Sequence, residues 1–235
     1  MENGTAQRKH GILIVDDHPL IRAGLTQIIK RQGDLFCCGE TSSVSGVRQA
    51  VTVCKPSLLT IDLRLPDGDG LELIRDLATE HPSLPVLVIT QCDEMLYAER
   101  ALKAGARGYV MKEHGTAEIL TAIRTILAGE LFVSPKITAL ALHQMVGHKS
   151  NGSDTALANL TDRELQVLQL LGACIKTRAV AARLNLSVKT VETHRENIKH
   201  KLGIPDAAGL MRYATNWVEN QTSRPPLNQG KPHAG

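Results

Sequence analysis

The chain has 235 residues, enough for one large or two ordinary domains, each with a core of its own. Its 27 Lys and Arg against 24 Asp and Glu leave a formal net charge of +3, so composition does not announce a nucleic-acid binder and any basic patch has to be local. No apolar run approaches the roughly 18 residues of a membrane span, and the polar start MENGTAQRKHG lacks the apolar core of a secretion signal, so a cytoplasmic protein with no membrane partner is expected.

Residues 1–10 form a polar lead-in. From Gly11 to about Gly129 short apolar runs alternate with amphipathic stretches. The runs ILIV (12–15), LFCC (35–38), LLTI (58–61), VLVIT (86–90) and GYVM (108–111) predict strands, and helices are expected near 19–31, 44–53, 68–80, 95–104 and 116–128. Such β-α alternation predicts an α/β fold, a doubly wound five-stranded parallel sheet with helices on both faces. The five cysteines, Cys37, Cys38, Cys54, Cys92 and Cys174, have no metal-ligand spacing and suit reduced thiols in small core positions; vicinal Cys37 and Cys38 are the pair most suited to a thiol switch.

After Phe132 the pattern changes. A linker over 133–157 is expected, with a helix over 135–146 followed by GHKSNGSD (147–154), flexible by composition. Residues 158–220 give no strand signal, only four short helices. The tail, 221–235, carries Pro and Gly without periodicity and is expected to be disordered.

In a doubly wound sheet, ligands sit beyond the carboxyl ends of the strands. Here the first strand ends in Asp16 and Asp17, the third in Asp62 and the fourth in Thr90, and Lys112 follows the fifth. A lone Asp at a strand end is usually a helix cap, and a lone Lys a solvated surface group. Three carboxylates at one edge repel unless a cation joins them. Mg²⁺ fits, since it binds through a few carboxylates and takes phosphate oxygens as remaining ligands. With Asp62 as nucleophile and Lys112 neutralising phosphoryl charge, the chemistry would be formation of an aspartyl phosphate.

The stretches VDDHP (15–19), DLRLPDGDG (62–70), VIT (88–90) and GYVMK (108–112) together resemble the flavodoxin-like receiver domain of two-component response regulators, over residues 11–132. The resemblance implies that Asp62 accepts a phosphoryl group from a sensor histidine kinase. It implies further that Asp17, Asp62 and the backbone carbonyl of Arg64 hold Mg²⁺, with Asp16 acting through water. Thr90 and Lys112 would contact the phosphoryl group, and Tyr109 would be the aromatic switch that turns inward when Thr90 moves. Two positions depart from the family pattern: Gln91 follows Thr90 where a small residue is usual, and Glu113 follows Lys112 in place of Pro.

In the C-terminal part, LTDRELQVLQLL (160–171) opens with a capping box of Thr161 and Glu164, and Leu165, Leu168 and Leu171 form an apolar stripe. A short helix over 177–184 and a turn at NLS (185–187) lead into VKTVETHRENIKHKL (188–202), stopped by Gly203. Val188, Val191, Ile198 and Leu202 are expected on the inner face of that helix. Helix, tight turn and second helix with a polar outer face are the helix-turn-helix arrangement. Over 187–202, four Lys or Arg against two Glu give a local charge of about +2 with two further His, and amphipathic spacing by itself fits equally a small helical docking bundle with a solvated basic face. A last helix over 206–219, capped by Asp206, carries Leu210, Tyr213, Ala214 and Trp217 at helical spacing.

LTDRELQVLQLL and VAARLNLSVKTVETHRENIKHKLGI (180–204) resemble the LuxR-type DNA-binding domain of NarL/FixJ-family regulators. That resemblance places 188–202 in the major groove, with Glu192, Thr193 and Glu196 nearest base edges and Lys189, Thr190, Arg195 and Lys199 nearer phosphates. Either Glu would serve equally as the partner of a neighbouring Lys or Arg. Cys174 stands where Gly is frequent between helices. The expected protein is therefore a phosphorylation-controlled regulator of transcription and not an enzyme. Its expected partners are a sensor histidine kinase, promoter DNA, RNA polymerase and a second copy of the chain when phosphorylated or DNA-bound. Two rivals stand beside it: a Mg²⁺-dependent aspartyl-phosphate phosphatase, and a regulator whose receiver acts without phosphorylation.

Overall fold

The computed structural model describes residues 9–145, 156–157, 159–184 and 186–222. Most of the polar lead-in, the GHKSNGSD stretch and the tail after Thr222 lie outside the described residues. The chain divides into two compact units, with the division between Gly152 and Ser153.

The first unit runs β1 (His10–Val15), α1 (Pro19–Lys30), β2 (Leu35–Thr41), α2 (Val44–Cys54), β3 (Leu58–Ile61), β4 (Arg64–Leu65), β5 (Gly68–Asp69), α3 (Gly70–Glu80), β6 (Val86–Thr90), α4 (Glu94–Ala104), β7 (Gly108–Met111), α5 (Thr116–Leu127) and α6 (Pro135–Met145). Five strands form a parallel sheet, as the sequence predicts, and their order is β2-β1-β3-β6-β7. β1, β3, β6 and β7 are apolar runs because both faces are covered. Ile12, Ile14, Leu87, Ile89 and Val110 pack with Leu25 and Ile29 of α1 and with Ile119, Ile123 and Ile126 of α5. The alternate positions Leu13, Leu59, Ile61 and Val88 are equally buried, on the side that α2, α3 and α4 close. Strand order reverses between β1 and β3, so Asp16 and Asp62, one residue past each, flank the crevice where such sheets bind ligands.

Two boundaries differ from expectation for local reasons. β2 continues to Thr41 because it pairs with β1 along its length; the register slips between Ile12 and Leu13, leaving Cys38 as the extra residue. α3 starts at Gly70, not at 68, because Gly68 and Asp69 pair with Leu65 and Arg64 in a two-stranded ribbon, and the Asp69 side chain then caps the helix through Leu71 N–H at 2.8 Å. Cys37 and Cys38 do not face each other. Thr26 of α1 reaches the Cys37 sulfur, whereas Cys54 of α2 donates to the Cys38 carbonyl. Burial, with Cys54 and Cys37 nearby, pushes the Cys38 thiol up to about 12, so its thiolate is scarce at neutral pH.

The second unit is all-α among its described residues, as expected: α7 (Asp162–Gly172), α8 (Thr177–Arg183), α9 (Val188–Leu202) and α10 (Ala207–Thr222). Leu165, Leu168 and Leu171 of α7 are buried, as are Val180, Val191, Ile198, Leu210 and Ala214 of the three helices that α7 touches. The capping box at Thr161 and Glu164 forms, Ser187 caps α9 through Thr190 N–H, and Gly203 ends it at φ 66°. Asp206 accepts from Gly209 N–H at 2.6 Å. One expectation fails: Val188 is 42% exposed, because it sits in the first turn of α9, a full turn before Val191 meets the core.

Candidate functional site

At the switch edge β1 delivers Asp16 and Asp17, β3 delivers Asp62, β6 ends in Thr90, and Lys112 follows β7. The sheet brings all five together. Asp62 is 3% exposed; its Oδ1 accepts from Thr90 Oγ1 at 2.6 Å and from Arg64 N–H at 3.2 Å, and its Oδ2 from Lys112 Nζ at 2.5 Å. Lys112 also reaches Asp16 Oδ2 at 2.7 Å. Burial alone would lower the ammonium pKa, but Asp62 and Asp16 outweigh it and raise it above the ordinary value.

Asp16 is held on every side. Its Oδ1 accepts from His18 N–H at 2.8 Å, and its carbonyl accepts from Arg22 at 2.6 Å. Asp17 is different: its Oδ1 is buried without a hydrogen-bond partner, although His18 Nδ1 approaches to 2.7 Å out of alignment. Ligand atoms of Asp16, Asp17, His18 and Asp62 lie within 4.8 Å of one another. An orphaned carboxylate oxygen beside two further carboxylates is the donor set of a hard divalent ion, so the residues fit Mg²⁺. His18 is a member that sequence reasoning passed over inside VDDHP.

Tyr109 is 3% exposed and already turned inward with Thr90 still bonded to Asp62, whereas the resemblance has it turning inward only when Thr90 moves; its hydroxyl donates to the Cys92 carbonyl at 2.7 Å. Cys92 N–H in turn reaches Thr90 Oγ1 at 3.3 Å. A hydrogen-bonded chain thus runs Asp62, Thr90, Cys92, Tyr109. The loop after Asp62 is fastened as well: Asp67 accepts from Val44 and Ser45 N–H at 2.8 and 3.0 Å, capping α2 from 22 and 23 residues away. Gly70 lies so close to Leu63 that a Cβ would sit 2.6 Å from its Cα.

In the second unit, Lys189, Glu192, Thr193, Arg195 and Glu196 line one surface depression on α9. Thr190 hydrogen-bonds Ser187 at 2.7 Å and stands in the capped first turn. Lys199 is less open, because it pairs with Glu196 at 2.9 Å. Arg195 donates to Thr177 of α8 at 2.9 Å, so one of the expected phosphate contacts is tethered within the domain. The frame beneath is set by Glu164, which accepts from Thr161 N–H and from Lys201 Nζ, at 2.8 and 2.7 Å.

Residues 12–124 match the model of the response regulator receiver domain, and residues 158–214 match that of the bacterial regulatory proteins of the luxR family. The response regulator GacA of Pseudomonas viridiflava is 35% identical over 193 residues, covering 82% of this chain and 89% of GacA. The chain belongs to the NarL/FixJ family of response regulators.

A second relative of this response regulator is the oxygen regulatory protein NreC of Staphylococcus aureus strain MRSA252, 33% identical over 86% of this chain and 95% of NreC. Among solved structures, RcsB of Salmonella enterica serovar Typhimurium, bound to promoter P1flhDC in the presence of phosphomimetic BeF3-, aligns with TM-score 0.68. It is 22% identical, over 89% of this chain and all of RcsB, and shows the fold. A LuxR-family response regulator from Aurantimonas sp. SI85-9A1 is 30% identical over 59% of this chain and 99% of its own, with TM-score 0.55. The protein is thus a response regulator with a receiver domain and a LuxR-type DNA-binding domain. No helix among its described residues is long and apolar enough to cross a membrane.

Proposed function

We propose that this response regulator is switched by phosphorylation of Asp62 and, once phosphorylated, binds promoter DNA through α9. The observation that carries the reading is the pairing of a buried carboxylate with a hydroxyl on one oxygen and an ammonium on the other, Thr90 and Lys112. An Asp62 oxygen would attack the phosphorus of a phosphohistidine on a sensor histidine kinase. The P–N bond breaks, its electron pair leaves with the imidazole, and an acyl phosphate remains on Asp62.

Asp17, Asp62 and the Arg64 carbonyl would hold Mg²⁺, with Asp16 acting through water; the orphaned Asp17 Oδ1 supports this assignment. Bound there, the ion supplies positive charge for the phosphoryl oxygens. Thr90 and Lys112, released from the bare carboxylate, would turn to the same oxygens. Movement of Thr90 withdraws the acceptor of Cys92 N–H and so reaches the carbonyl that holds Tyr109. The receiver would thereby control exposure or dimerisation of the DNA-binding unit.

In that unit α9 would enter the major groove, with Lys189, Thr190, Arg195 and Lys199 toward phosphates and Glu192, Thr193 and Glu196 toward bases. Tyr213 and Trp217 of α10 are partly exposed, which suits a homodimer reading two half-sites and presenting itself to RNA polymerase. The phosphatase reading is weaker, because Arg64 occupies the place two residues beyond the nucleophile where an acid and base would be needed.

The test is acetyl phosphate with Mg²⁺ followed by intact-mass measurement and gel shift on promoter DNA. One phosphoryl adduct on the wild type, none on Asp62→Asn, and tighter DNA binding by the adduct are expected. Equal adducts on both proteins would remove Asp62 from its role. A DNA affinity independent of the adduct would favour the regulator that acts without phosphorylation.

A further inference from the structure

Two carboxylates on the outer face of a helix expected to meet DNA are a cost in affinity unless they read something. Their neighbours dispose of one. Glu196 pairs with Lys199 at 2.9 Å, so its charge is neutralised within the helix. Glu192 is exposed, and among the described residues no ion pair or hydrogen bond satisfies its side chain. Of the two nearby cations, Arg195 is drawn to Thr177, and among the described residues Lys189 forms no ion pair with Glu192. Thr193 spends its hydroxyl on the Lys189 carbonyl at 3.1 Å. Glu192 is therefore the uncompensated acceptor in the depression that it lines with Lys189, Thr193, Arg195 and Glu196.

We infer that Glu192 is a specificity-determining residue that reads the N4 amine of a cytosine in each half-site, an inference that rests on α9 being the DNA-reading helix. A carboxylate only accepts hydrogen bonds. The major groove offers two donors, cytosine N4 and adenine N6. The adenine amine lies between two acceptors, its own N7 and thymine O4, both of which repel a carboxylate. The cytosine amine has an acceptor on one side only, guanine O6. A thymine or guanine at that position presents acceptors alone. The order of preference is thus cytosine first, adenine well behind, and the other two excluded. Glutamine at the same place offers a donor and an acceptor together and matches adenine N6 and N7.

The experiment is selection from a randomised duplex library, with the full-length protein treated with acetyl phosphate and Mg²⁺, comparing wild type with Glu192→Gln. The side chain is exposed, so the fold is retained, and circular dichroism verifies this. The wild type should enrich a two-half-site motif with cytosine at one fixed position, favoured about tenfold or more over the other bases. Glu192→Gln should shift that single position toward adenine and leave the remaining positions unchanged. The same motif from both proteins overturns the inference, leaving Glu192 a solvated charge. So does an equal rise in affinity of the variant for every sequence, which would mark Glu192 as a merely repulsive group. A wild type that enriches no motif overturns the DNA-reading role of α9 and the inference with it.

Discussion

Lys201, at the end of α9, donates to Glu164, in the first turn of α7, at 2.7 Å. The same carboxylate closes the capping box on Thr161. Burial by itself would raise the Glu164 pKa, but Lys201 and the Thr161 N–H outweigh it and hold the carboxyl below the ordinary value. A lowered native pKa means that its stabilisation is complete above the ordinary Glu range. It is lost as pH falls through that range to the native value. Glu164→Gln should therefore destabilise the second unit by about 1–3 kcal/mol at neutral pH and flatten the acid limb of its melting curve against pH. A variant whose acid limb parallels the wild type would contradict this.

The orphaned Asp17 Oδ1 makes a separate prediction for the metal. Mg²⁺ at about a hundred times its Kd should stabilise the receiver by about 2.7 kcal/mol, read as a rise in Tm. Asp17→Asn removes no hydrogen bond to Oδ1 and only an ion contact with the exposed His18 ring, so the metal-free variant should melt near the wild type and lose most of the Mg²⁺ response. A full response in Asp17→Asn would take Asp17 out of the ligand set.

Gln91 is exposed and directly follows Thr90, at the position where the receiver pattern expects a small side chain. If it obstructs the hydrolytic water, Gln91→Ala should shorten the phosphate lifetime several-fold in a dephosphorylation time course. An unchanged rate would leave Gln91 without a role there.

Cys174 occupies the left-handed region at φ 57°, between α7 and α8. A side chain there costs roughly 1–2 kcal/mol, against roughly 0.5–1 for the added chain entropy of glycine. Cys174→Gly should thus stabilise the second unit by up to about 1 kcal/mol in chemical denaturation. A loss of stability would mean that the thiol makes a compensating contact.

For DNA binding, Lys189→Ala should lower the magnitude of the salt slope of log K by about 1. Lys199→Ala should weaken binding further than Lys189→Ala, because it also releases the charge of Glu196 toward the phosphates. Gel shifts at several salt concentrations separate the two, and identical behaviour would remove the pair with Glu196 from the argument.

Periodicity along one segment made most of this molecule readable. β3, β6 and β7 begin and end where their apolar runs do, and the caps at Thr161, Ser187 and Gly203 lie within a turn of what they cap. The convergence of Asp16, Asp62, Thr90 and Lys112 followed from strand ends sharing an edge. What escaped depends on partners distant in sequence or on exact side-chain direction. The polar end of β2 is a strand only because β1 lies beside it. The inward Tyr109 finds the acceptor for its hydroxyl at Cys92, 17 residues earlier in sequence. His18 belongs to the acidic cluster only through the way α1 begins.

The loop after Asp62 is tied down at both ends, by Asp67 on α2 and by Gly70 against Leu63. A segment so anchored has no slack to swing out toward a donor. If Asp62 is the phosphoacceptor proposed above, a phosphoryl donor would have to bring its own reactive atom into line with a fixed target, so the tolerance in docking would lie with the donor's approach and the surface it rests on, not with the acceptor.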